Sequence, residues 1–313
     1  MLTDPGSAGY SFVRTTTGAK LAELPPGILS YALSGGGDLA EAYLTRGTES
    51  GGAEIDTIRP ERGYALQKVA EATSPPRAAL LVRAALDVYV GQPNVLLMVT
   101  ADGRMIAYQH GMLIWSDSVS GPNDLQQVGG KAYAVDRNGW APIRVATGGR
   151  DAILTARSCV PGPIAEVAGG LLLDCNGTLS GSLVRVPPDA PLVVTTRGAA
   201  FLVFADGEVW KADQGSAHRL ATGVVAAAPP VAAPDGRSLL VPTATGVELV
   251  DTTTGSHRRL LAATGISSIA SSRDGNYLYV VAGGRFTTYA TSSGARVRSF
   301  ATDRSRIYLV AGG

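Results

Sequence analysis

The sequence predicts an all-β protein made of a repeated four-stranded unit, and three observations carry this prediction. Turn-forming residues are dense from end to end, with 39 Gly and 18 Pro among 313 residues. A repeat with a period of about 40 residues is visible in the C-terminal third. The two ends of the chain match complementary parts of that repeat. Because tight turns favour glycine and helix interiors disfavour it, this composition indicates many short strands.

The repeat is clearest between residues 233 and 294. Ala233–Val241 aligns with Ser272–Val280, and each contains an Asp-Gly turn followed by a strand, the two turns being 39 residues apart. Downstream, Val250–Gly255 aligns with Tyr289–Gly294 at the same spacing. Such a period, with four short strands per unit, is typical of a β-propeller blade, because radial stacking buries sheet faces that one sheet alone would expose. We therefore predict a single β-propeller domain over residues 1–313.

The two ends of the chain together resemble one blade. Val13–Gly18 repeats the Thr-Gly turn, and Arg306–Gly313 supplies the strand that should precede it within the same blade. We expect strands from the N- and C-termini to share one sheet. This arrangement would close the ring and remove sheet edges that could aggregate.

Hairpin turns divide the middle of the chain into further units. Asp102-Gly103 and Asp206-Gly207 each separate two apolar runs, which predicts a hairpin at each position. The expected blade ends lie near residues 24, 70, 116, 147, 186, 221, 262 and 300. This division predicts eight four-stranded blades, or seven, because the units ending at 147 and 221 are short. Only Leu66–Ala72 has helix-like periodicity, and Pro75-Pro76 would end a helix there.

The turns resemble those of known propeller superfamilies. The turns Ala233–Gly236, Ser272–Gly275 and Val250–Gly255 look like those of YVTN/WD40-like and quinoprotein-like propellers, and the resemblance is best over residues 225–313. It implies the fold alone, because Asp-Gly and Thr-Gly are turn chemistry. Quinoprotein blades repeat a Trp after the Thr-Gly turn, where this sequence has residues such as Leu260 and Val297. We therefore expect no cofactor.

The overall composition excludes several classes of protein. The net charge is +1, charged residues are 17% of the chain and hydrophobic residues are 45%. A disordered polyelectrolyte has fewer apolar and more charged residues, and a general nucleic-acid binder is strongly basic. No apolar run reaches the length of about 18 residues that a transmembrane helix requires. We expect no transmembrane segment and no general nucleic-acid binding.

The two cysteines, Cys159 and Cys175, leave the compartment open. Two cysteines without further ligands do not form the usual structural zinc site. If they lie on neighbouring strands they can form a disulfide, which would indicate an oxidising, extracytoplasmic location of a mature or trimmed chain. If they are buried thiols, the N-terminus, which lacks a basic segment and an apolar segment, indicates a cytoplasmic protein.

Residues capable of catalysis show no recognisable constellation. His110, His218 and His257 lie in or beside hairpin turns of different blades, without the short spacings of metal ligands. Trp140 and Trp210 follow similar hairpin turns, which indicates packing between blades rather than a ligand platform. No metal site and no catalytic residue is predicted.

Charge is distributed unevenly along the chain. Residues 21–60 contain six acidic and two basic residues, a net of −4, whereas residues 252–313 contain eight basic and two acidic residues, a net of +6. Arg296 and Arg298 are two apart on a predicted strand and are expected to face the same side. The basic segment is either a solvated outer face or a surface that binds an anion or an acidic partner. The candidate binding residues are Arg285, Arg296, Arg298, Arg304 and Arg306.

These observations favour a binding function. We expect a non-enzymatic scaffold that presents loops of one propeller face to a protein partner or a small-molecule ligand. The alternative is a propeller lyase or hydrolase, with polar residues at the mouth of the central channel. Ionisable side chains lining the channel would favour the enzyme, and small apolar ones would favour the scaffold.

Overall fold

The computed structural model describes about three quarters of the chain. The described residues are 2–3, 10–15, 18–24, 28–33, 42–59, 62–63, 65–83, 94–109, 112–118, 124–128, 131–136, 139–151, 154, 161–167, 170–175, 178–180, 191–196, 199–213, 216–272, 274–303 and 306–307. These residues form antiparallel β-strands, arranged in eight sheets. None of the residues so described forms a helix long and apolar enough to cross a membrane.

The chain divides into two compact units. Unit 1 comprises Met1–Glu23 and Gly162–Leu309, and unit 2 comprises Leu24–Pro161 and Val310–Gly313. The strands of unit 2 form three sheets. Sheet 2 contains β4 (Ile28–Leu33), β5 (Ala42–Gly47), β6 (Ala53–Ile58) and β7 (Leu66–Ala72). Sheet 3 contains β8 (Pro76–Arg83), β9 (Asn94–Thr100), β10 (Arg104–Gln109) and β11 (Met112–Ser118). Sheet 4 contains β12 (Asp124–Val128), β13 (Lys131–Asp136) and β14 (Gly139–Ile143).

Unit 1 holds the other five sheets. Sheet 1 contains β1 (Leu2–Thr3), β2 (Tyr10–Val13), β3 (Lys20–Leu24) and β30 (Arg306–Ile307). Sheet 5 contains β15 (Pro161–Val167), β16 (Gly170–Cys175) and β17 (Thr178–Ser180). Sheet 6 contains β18 (Leu192–Thr196), β19 (Ala199–Val203), β20 (Val209–Asp213) and β21 (Ser216–Ala221). Sheet 7 contains β22 (Val231–Ala232), β23 (Ser238–Thr243), β24 (Gly246–Asp251) and β25 (His257–Ala262). Sheet 8 contains β26 (Ile266–Ser271), β27 (Tyr277–Ala282), β28 (Arg285–Ala290) and β29 (Arg296–Ala301).

Strands from both termini share sheet 1, as the repeat predicted. Leu2 of β1 pairs with Ile307 of β30, and Thr3 pairs with Arg306. The first strands β18, β22 and β26 of sheets 6, 7 and 8 contact one another in this order, and β26 contacts β30. The C-terminal strand therefore occupies the first position of sheet 1, and the N-terminal strands fill the positions outside it.

The sheet boundaries agree with the predicted turns, with two departures. The last strands of the sheets end at residues 24, 72, 118, 143, 180, 221, 262 and 301. Sheets 4 and 5 show three strands each in the described part of the chain, not the four expected. In sheet 4, bridges from Trp140 to Leu154 and from Ile143 to Arg150 lie where a fourth strand would run. The helix-like segment Leu66–Ala72 is strand β7, because pairing with β6 overrides the helix propensity of its Ala, Lys and Glu residues.

Apolar side chains fill the spaces between consecutive sheets within each unit. In unit 1, Val203 and Val209 of sheet 6 pack with Leu239 and Val241 of sheet 7. Leu240 and Leu261 of sheet 7 pack in the same way with Leu278 and Val280 of sheet 8. In unit 2, Ile55 of sheet 2 packs with Leu96 and Met98 of sheet 3. Sheets 2, 3, 6, 7 and 8 thus each bury a face against a neighbouring sheet, which is the physical basis of the repeat.

A β-bulge recurs in the last strand of five sheets. At each bulge the outer strand has one extra residue that is not paired with any residue of the third strand. The residues before and after it are paired with successive residues of the third strand, so their side chains project from opposite faces of the sheet. The extra residues are Val69, Ile114, Leu220, Leu260 and Val297. In sheet 7, exposed Arg259 precedes the bulge and buried Leu261 follows it. In sheet 7 the bulge therefore lets one short strand expose a charged end and bury an apolar end.

The Thr-Gly turns pack against the outer strand of a neighbouring sheet. Gly255 has φ +72°, and a Cβ there would overlap the backbone carbonyl oxygen of Leu220. Gly294, with φ +69°, is in the same relation to Leu260. A Cβ on Gly148 would lie 2.8 Å from the ring of Trp115. The recurring glycine is thus required both by the left-handed backbone and by the close approach of the sheets.

Candidate functional site

The structure places three of the five candidate arginines in one hairpin. Arg285 begins β28, and Arg296 and Arg298 lie in β29, the last strand of sheet 8. Arg306 lies in β30 of sheet 1 and is paired with Thr3. Arg304 lies outside the described residues. The candidate surface is therefore the outer hairpin of sheet 8, formed by β28 and β29, and we call it the arginine hairpin.

Arg296 and Arg298 project from opposite faces of sheet 8. Arg298 is paired with Thr288, whereas Arg296 is paired with Tyr289, the next residue along β28. Cross-strand partners share a face and successive residues of a strand alternate, so the bulge at Val297 places the two arginines on different faces. The expectation that they face the same side is wrong, because it assumed an unbroken strand.

The remaining arginine of the hairpin lies at its far end. Arg285 is paired with Ala301, and its Nε donates a hydrogen bond of 2.9 Å to Oγ of Ser299. Ser299 also hydrogen-bonds Thr287, its cross-strand partner. Arg285 thus shares a face with Arg296 but is separated from it by the length of the strand.

Carboxylates neutralise the residues that correspond to Arg296 in other sheets. The residue immediately before the bulge is Lys68 in sheet 2, Arg219 in sheet 6 and Arg259 in sheet 7. These cations lie 3.7 Å from Glu54, 2.9 Å from Glu208 and 3.6 Å from Glu248, respectively. In sheet 6 the hydrogen bonds from Trp210 and Arg219 hold the pKa of Glu208 below its ordinary value.

The arginine hairpin has no such compensation. The cross-strand partner of Arg296 is Tyr289, where sheet 7 has Glu248 opposite Arg259. Within the described part of the chain, Arg285, Arg296 and Arg298 form no ion pair with a carboxylate. All three are exposed. Val297 between the two strand arginines is 55% exposed, whereas the corresponding Leu260 of sheet 7 is 6% exposed.

In contrast, two acidic residues of the acidic segment, Glu54 and Asp56, are neutralised within sheet 2. Asp56 is 1% exposed and accepts a hydrogen bond of 2.6 Å from Nε of Arg46. Glu54 lies 3.1 Å from Arg46. The hydrogen bond to Asp56 raises the pKa of Arg46. The arginine hairpin therefore has cations without a carboxylate partner among the described residues, whereas Glu54 and Asp56 of sheet 2 are paired.

One further arginine belongs near this surface and was missed. Arg258 is paired with Leu249, on the face of sheet 7 that packs against sheet 8. Arg296 is on the face of sheet 8 that packs against sheet 7, because it shares that face with Tyr289. Arg258 is exposed and has no carboxylate partner among the described residues. The sequence signal that could have identified Arg258 is the pair of adjacent arginines, Arg258-Arg259, before two leucines. Of these two arginines, Arg259 pairs with Glu248 and Arg258 does not.

The other residues singled out in the sequence do not form a catalytic site. His218 and His257 lie exposed in outer strands β21 and β25, and His110 lies outside the described residues. Where the structure describes the chain, no group of three or more His, Cys, Asp or Glu residues is close enough to hold a metal ion. Cys175 ends β16, but Cys159 is outside the described residues, so their pairing stays a prediction.

The tryptophans are packing residues. Trp140 is fully buried, which confirms its predicted place in the core. Trp115 packs against Gly148 and donates a hydrogen bond of 2.7 Å from Nε1 to the carbonyl oxygen of Val145. Trp210 packs beside a cluster of buried residues of sheet 6 and donates to Glu208.

The first strands of unit 1 contain few groups suited to catalysis. Strands β18, β22 and β26 consist of Leu, Val, Ala, Ile, Ser and Thr and have no ionisable side chain. The first strands of other sheets do contain ionisable residues, namely Arg77 in β8, Asp124 in β12, Glu166 in β15 and Arg306 in β30. The first strands of sheets 6, 7 and 8 therefore provide neither a general base nor a carboxylate ligand.

Comparison with solved structures decides the fold. BamB from Moraxella catarrhalis aligns with a TM-score of 0.53 and 12% identity, covering 94% of each chain. AztD from Citrobacter koseri aligns with a TM-score of 0.58 and 12% identity, over 97% of this chain and 94% of that one. The dihydro-heme d1 dehydrogenase NirN aligns with a TM-score of 0.61 and 13% identity, over 99% of this chain and 74% of that one. The chain has a β-propeller-type fold.

These similarities establish architecture alone. The predicted resemblance to YVTN and quinoprotein-like propellers is confirmed at the level of the fold. No protein-family model matches the sequence, and no curated protein matches it. At 12–13% identity these structures show the fold alone, so function must be argued from the surface itself.

Proposed function

We propose that the protein is a non-enzymatic binding scaffold that holds an acidic protein partner at the arginine hairpin of sheet 8. The observation that carries this proposal is that, among the described residues, no carboxylate neutralises the exposed arginines of this hairpin. Three other sheets place a carboxylate within 3.7 Å of the cation that precedes the bulge. In sheet 8 the cross-strand partner of Arg296 is Tyr289, and no carboxylate in the part of the chain that the structure describes pairs with this arginine. Exposed cations without intramolecular partners raise the local potential and attract an anionic partner, even when the net charge is near zero.

Two further observations support binding rather than catalysis. The exposed Val297 lies between Arg296 and Arg298, and an apolar contact flanked by cations is a common arrangement at protein interfaces. The first strands of sheets 6, 7 and 8, namely β18, β22 and β26, provide no ionisable group for acid–base or metal chemistry, whereas Asp124 and Glu166 lie in the first strands of sheets 4 and 5.

The experiment compares two charge-reversal variants of the same total charge. The test variant is Arg296→Glu with Arg298→Glu. The control is Arg237→Glu with Arg62→Glu, which changes two exposed arginines that have no carboxylate partner in the described structure and lie outside the arginine hairpin. Each protein is immobilised, and the proteins it retains from an extract of its source cells are quantified by mass spectrometry.

The proposal expects one acidic protein whose retention falls about tenfold or more in the test variant and is unchanged in the control. Its retention should also weaken at about 0.5 M salt, which screens exposed charges. If the test variant and the wild type retain the same proteins in the same amounts, the arginine hairpin is a solvated face and the proposal is wrong.

A further inference from the structure

The outer edge of β29 is a strand edge with open hydrogen-bonding groups. One edge of β29 pairs with β28, and no strand pairs with its other edge among the residues that the structure describes. Such an edge presents backbone N–H and C=O groups that can accept an additional strand. Addition of an extended segment to an open edge is a recurring mode of peptide recognition.

The charges at this edge differ from those at the comparable edges. In β7, β21 and β25 the cation before the bulge is held by a carboxylate of the same sheet. In β29, Arg296 and Arg298 have no such partner among the described residues, and the bulge residue Val297 between them is 55% exposed, whereas Leu260 at the bulge of β25 is 6% exposed. The edge is therefore complementary in charge to an acidic strand and has an apolar contact at its centre.

The bulge determines where the acidic residues of that strand must lie. Arg296 and Arg298 project from opposite faces of sheet 8, because they pair with successive residues of β28. Side chains of an added strand also alternate between the two faces. Two carboxylates of the strand can reach both arginines only if they are separated by an odd number of positions. Two carboxylates at alternate positions lie on one face and can reach only one arginine.

We propose that the partner contributes an extended acidic segment, which adds to the edge of β29 and carries its carboxylates at odd spacing. This inference rests on the proposed function, since it specifies the ligand of the same arginine hairpin. It adds two features that the proposed function lacks, namely backbone pairing and a spacing rule.

The probes are three labelled peptides of identical composition and charge. The first, Thr-Val-Glu-Glu-Val-Thr-Val-Thr, has adjacent carboxylates. The second, Thr-Glu-Val-Thr-Glu-Val-Thr-Val, has carboxylates three positions apart. The third, Thr-Val-Glu-Thr-Glu-Val-Thr-Val, has them at alternate positions. Their affinities for the full-length protein are measured by fluorescence anisotropy at low salt, where exposed charges are least screened.

The better of the two odd-spaced peptides should bind about fivefold or more tightly than the alternate-spaced peptide. Either Arg296→Glu or Arg298→Glu should remove that advantage, and the double substitution should abolish binding of all three. Methylation of the backbone nitrogens of the best peptide should also abolish binding, because methylated nitrogens cannot donate to the edge.

The outcomes distinguish a failure of the strand-addition inference from a failure of the proposed function. If the alternate-spaced peptide binds as tightly as the others and binding still requires the arginines, the spacing rule is wrong and the acid-binding hairpin stands. If the methylated peptide binds unchanged, strand addition is wrong. If none of the peptides responds to the double substitution, both the inference and the proposed function fail.

Discussion

Replacement of a Thr-Gly turn glycine by alanine tests whether the sheets approach one another as closely as the structure has them. Gly255 combines two constraints, a left-handed backbone with φ +72° and contact of a would-be Cβ with the carbonyl oxygen of Leu220. Two other glycines each have only one of these constraints. Gly223 has φ +79° with no atom within 4 Å of a Cβ, whereas Gly246 has no positive φ but a Cβ there would overlap the carbonyl oxygen of Leu261.

The expected losses of unfolding free energy follow from these two terms. A left-handed alanine costs about 1–2 kcal/mol, of which about 0.4–1 kcal/mol is offset by the lower entropy of the unfolded chain. Gly223→Ala should therefore cost about 1 kcal/mol. Overpacking against a backbone atom costs about 1–3 kcal/mol, which is the whole effect expected for Gly246→Ala. Gly255→Ala should cost about 2–4 kcal/mol, close to the sum of the two.

The assay is urea unfolding followed by tryptophan fluorescence, with the three variants compared under identical conditions. The order of stability should be wild type, then Gly223→Ala, then Gly246→Ala, with Gly255→Ala the least stable. If Gly255→Ala is no less stable than Gly223→Ala, then the turn does not pack against Leu220, and the explanation of the recurring Thr-Gly turn is wrong.

Three other predictions concern charge and exposure. Arg46→Met should cost about 3–5 kcal/mol in urea unfolding, because it leaves the carboxylate of Asp56 buried without its partner, and adding Asp56→Leu should restore most of the loss. Hydrogen bonds from the turn backbone hold the pKa of Asp251 below its ordinary value of 3.8. Its stabilisation is therefore present above pH 3.8 and is lost as pH falls through the lower folded value. Asp251→Asn should therefore reduce the pH dependence of the melting temperature below about pH 4. Leu113 is 58% exposed where the corresponding outer strands have Lys or Arg, so Leu113→Arg should reduce light scattering while changing stability by less than about 0.5 kcal/mol.

Turn chemistry made most of the sheet boundaries predictable from the sequence. The Asp-Gly turn at Asp274 shows why, because its carboxylate accepts hydrogen bonds from the hydroxyl of Ser272 and the backbone of Asn276. These bonds form between neighbouring residues, so they depend only on local sequence. The same hydrogen-bonding arrangement recurs at the turn of Asp102, where the hydroxyl of Thr100 donates to the carboxylate. Local chemistry of this kind can be read without knowing what packs around it.

The faces of the outer strands could not be predicted in the same way. Alternation of side chains is a safe rule only while pairing is regular, and each bulge reverses it within one residue. The sequence does contain a weak sign of the bulge, since Leu260 and Leu261 are adjacent apolar residues in a strand that should alternate. In sheet 8 that sign is missing, because Val297 is followed by Arg298. The ion pairs were equally hidden, because Glu248 and Arg259 lie on different strands.

Tyr289 offers the sharpest test of why the arginine hairpin is charged. It occupies in sheet 8 the position that Glu248 occupies in sheet 7, opposite the arginine before the bulge. Tyr289→Glu should therefore create beside Arg296 the ion pair that Arg259 already has. Both arginines remain in place in this variant, yet binding of the odd-spaced peptides should fall about fivefold, because the carboxylate of the protein competes with that of the peptide.

The matched control is Tyr289→Gln, which removes the same partly buried ring and introduces a side chain of the same length without the charge. It should retain the affinity of the wild type for the peptides, and both variants should lose similar stability from the missing packing. If Tyr289→Gln weakens binding as much as Tyr289→Glu, the tyrosine ring itself contacts the ligand. In that case the lack of a neutralising carboxylate would not be what distinguishes sheet 8 from sheets 2, 6 and 7.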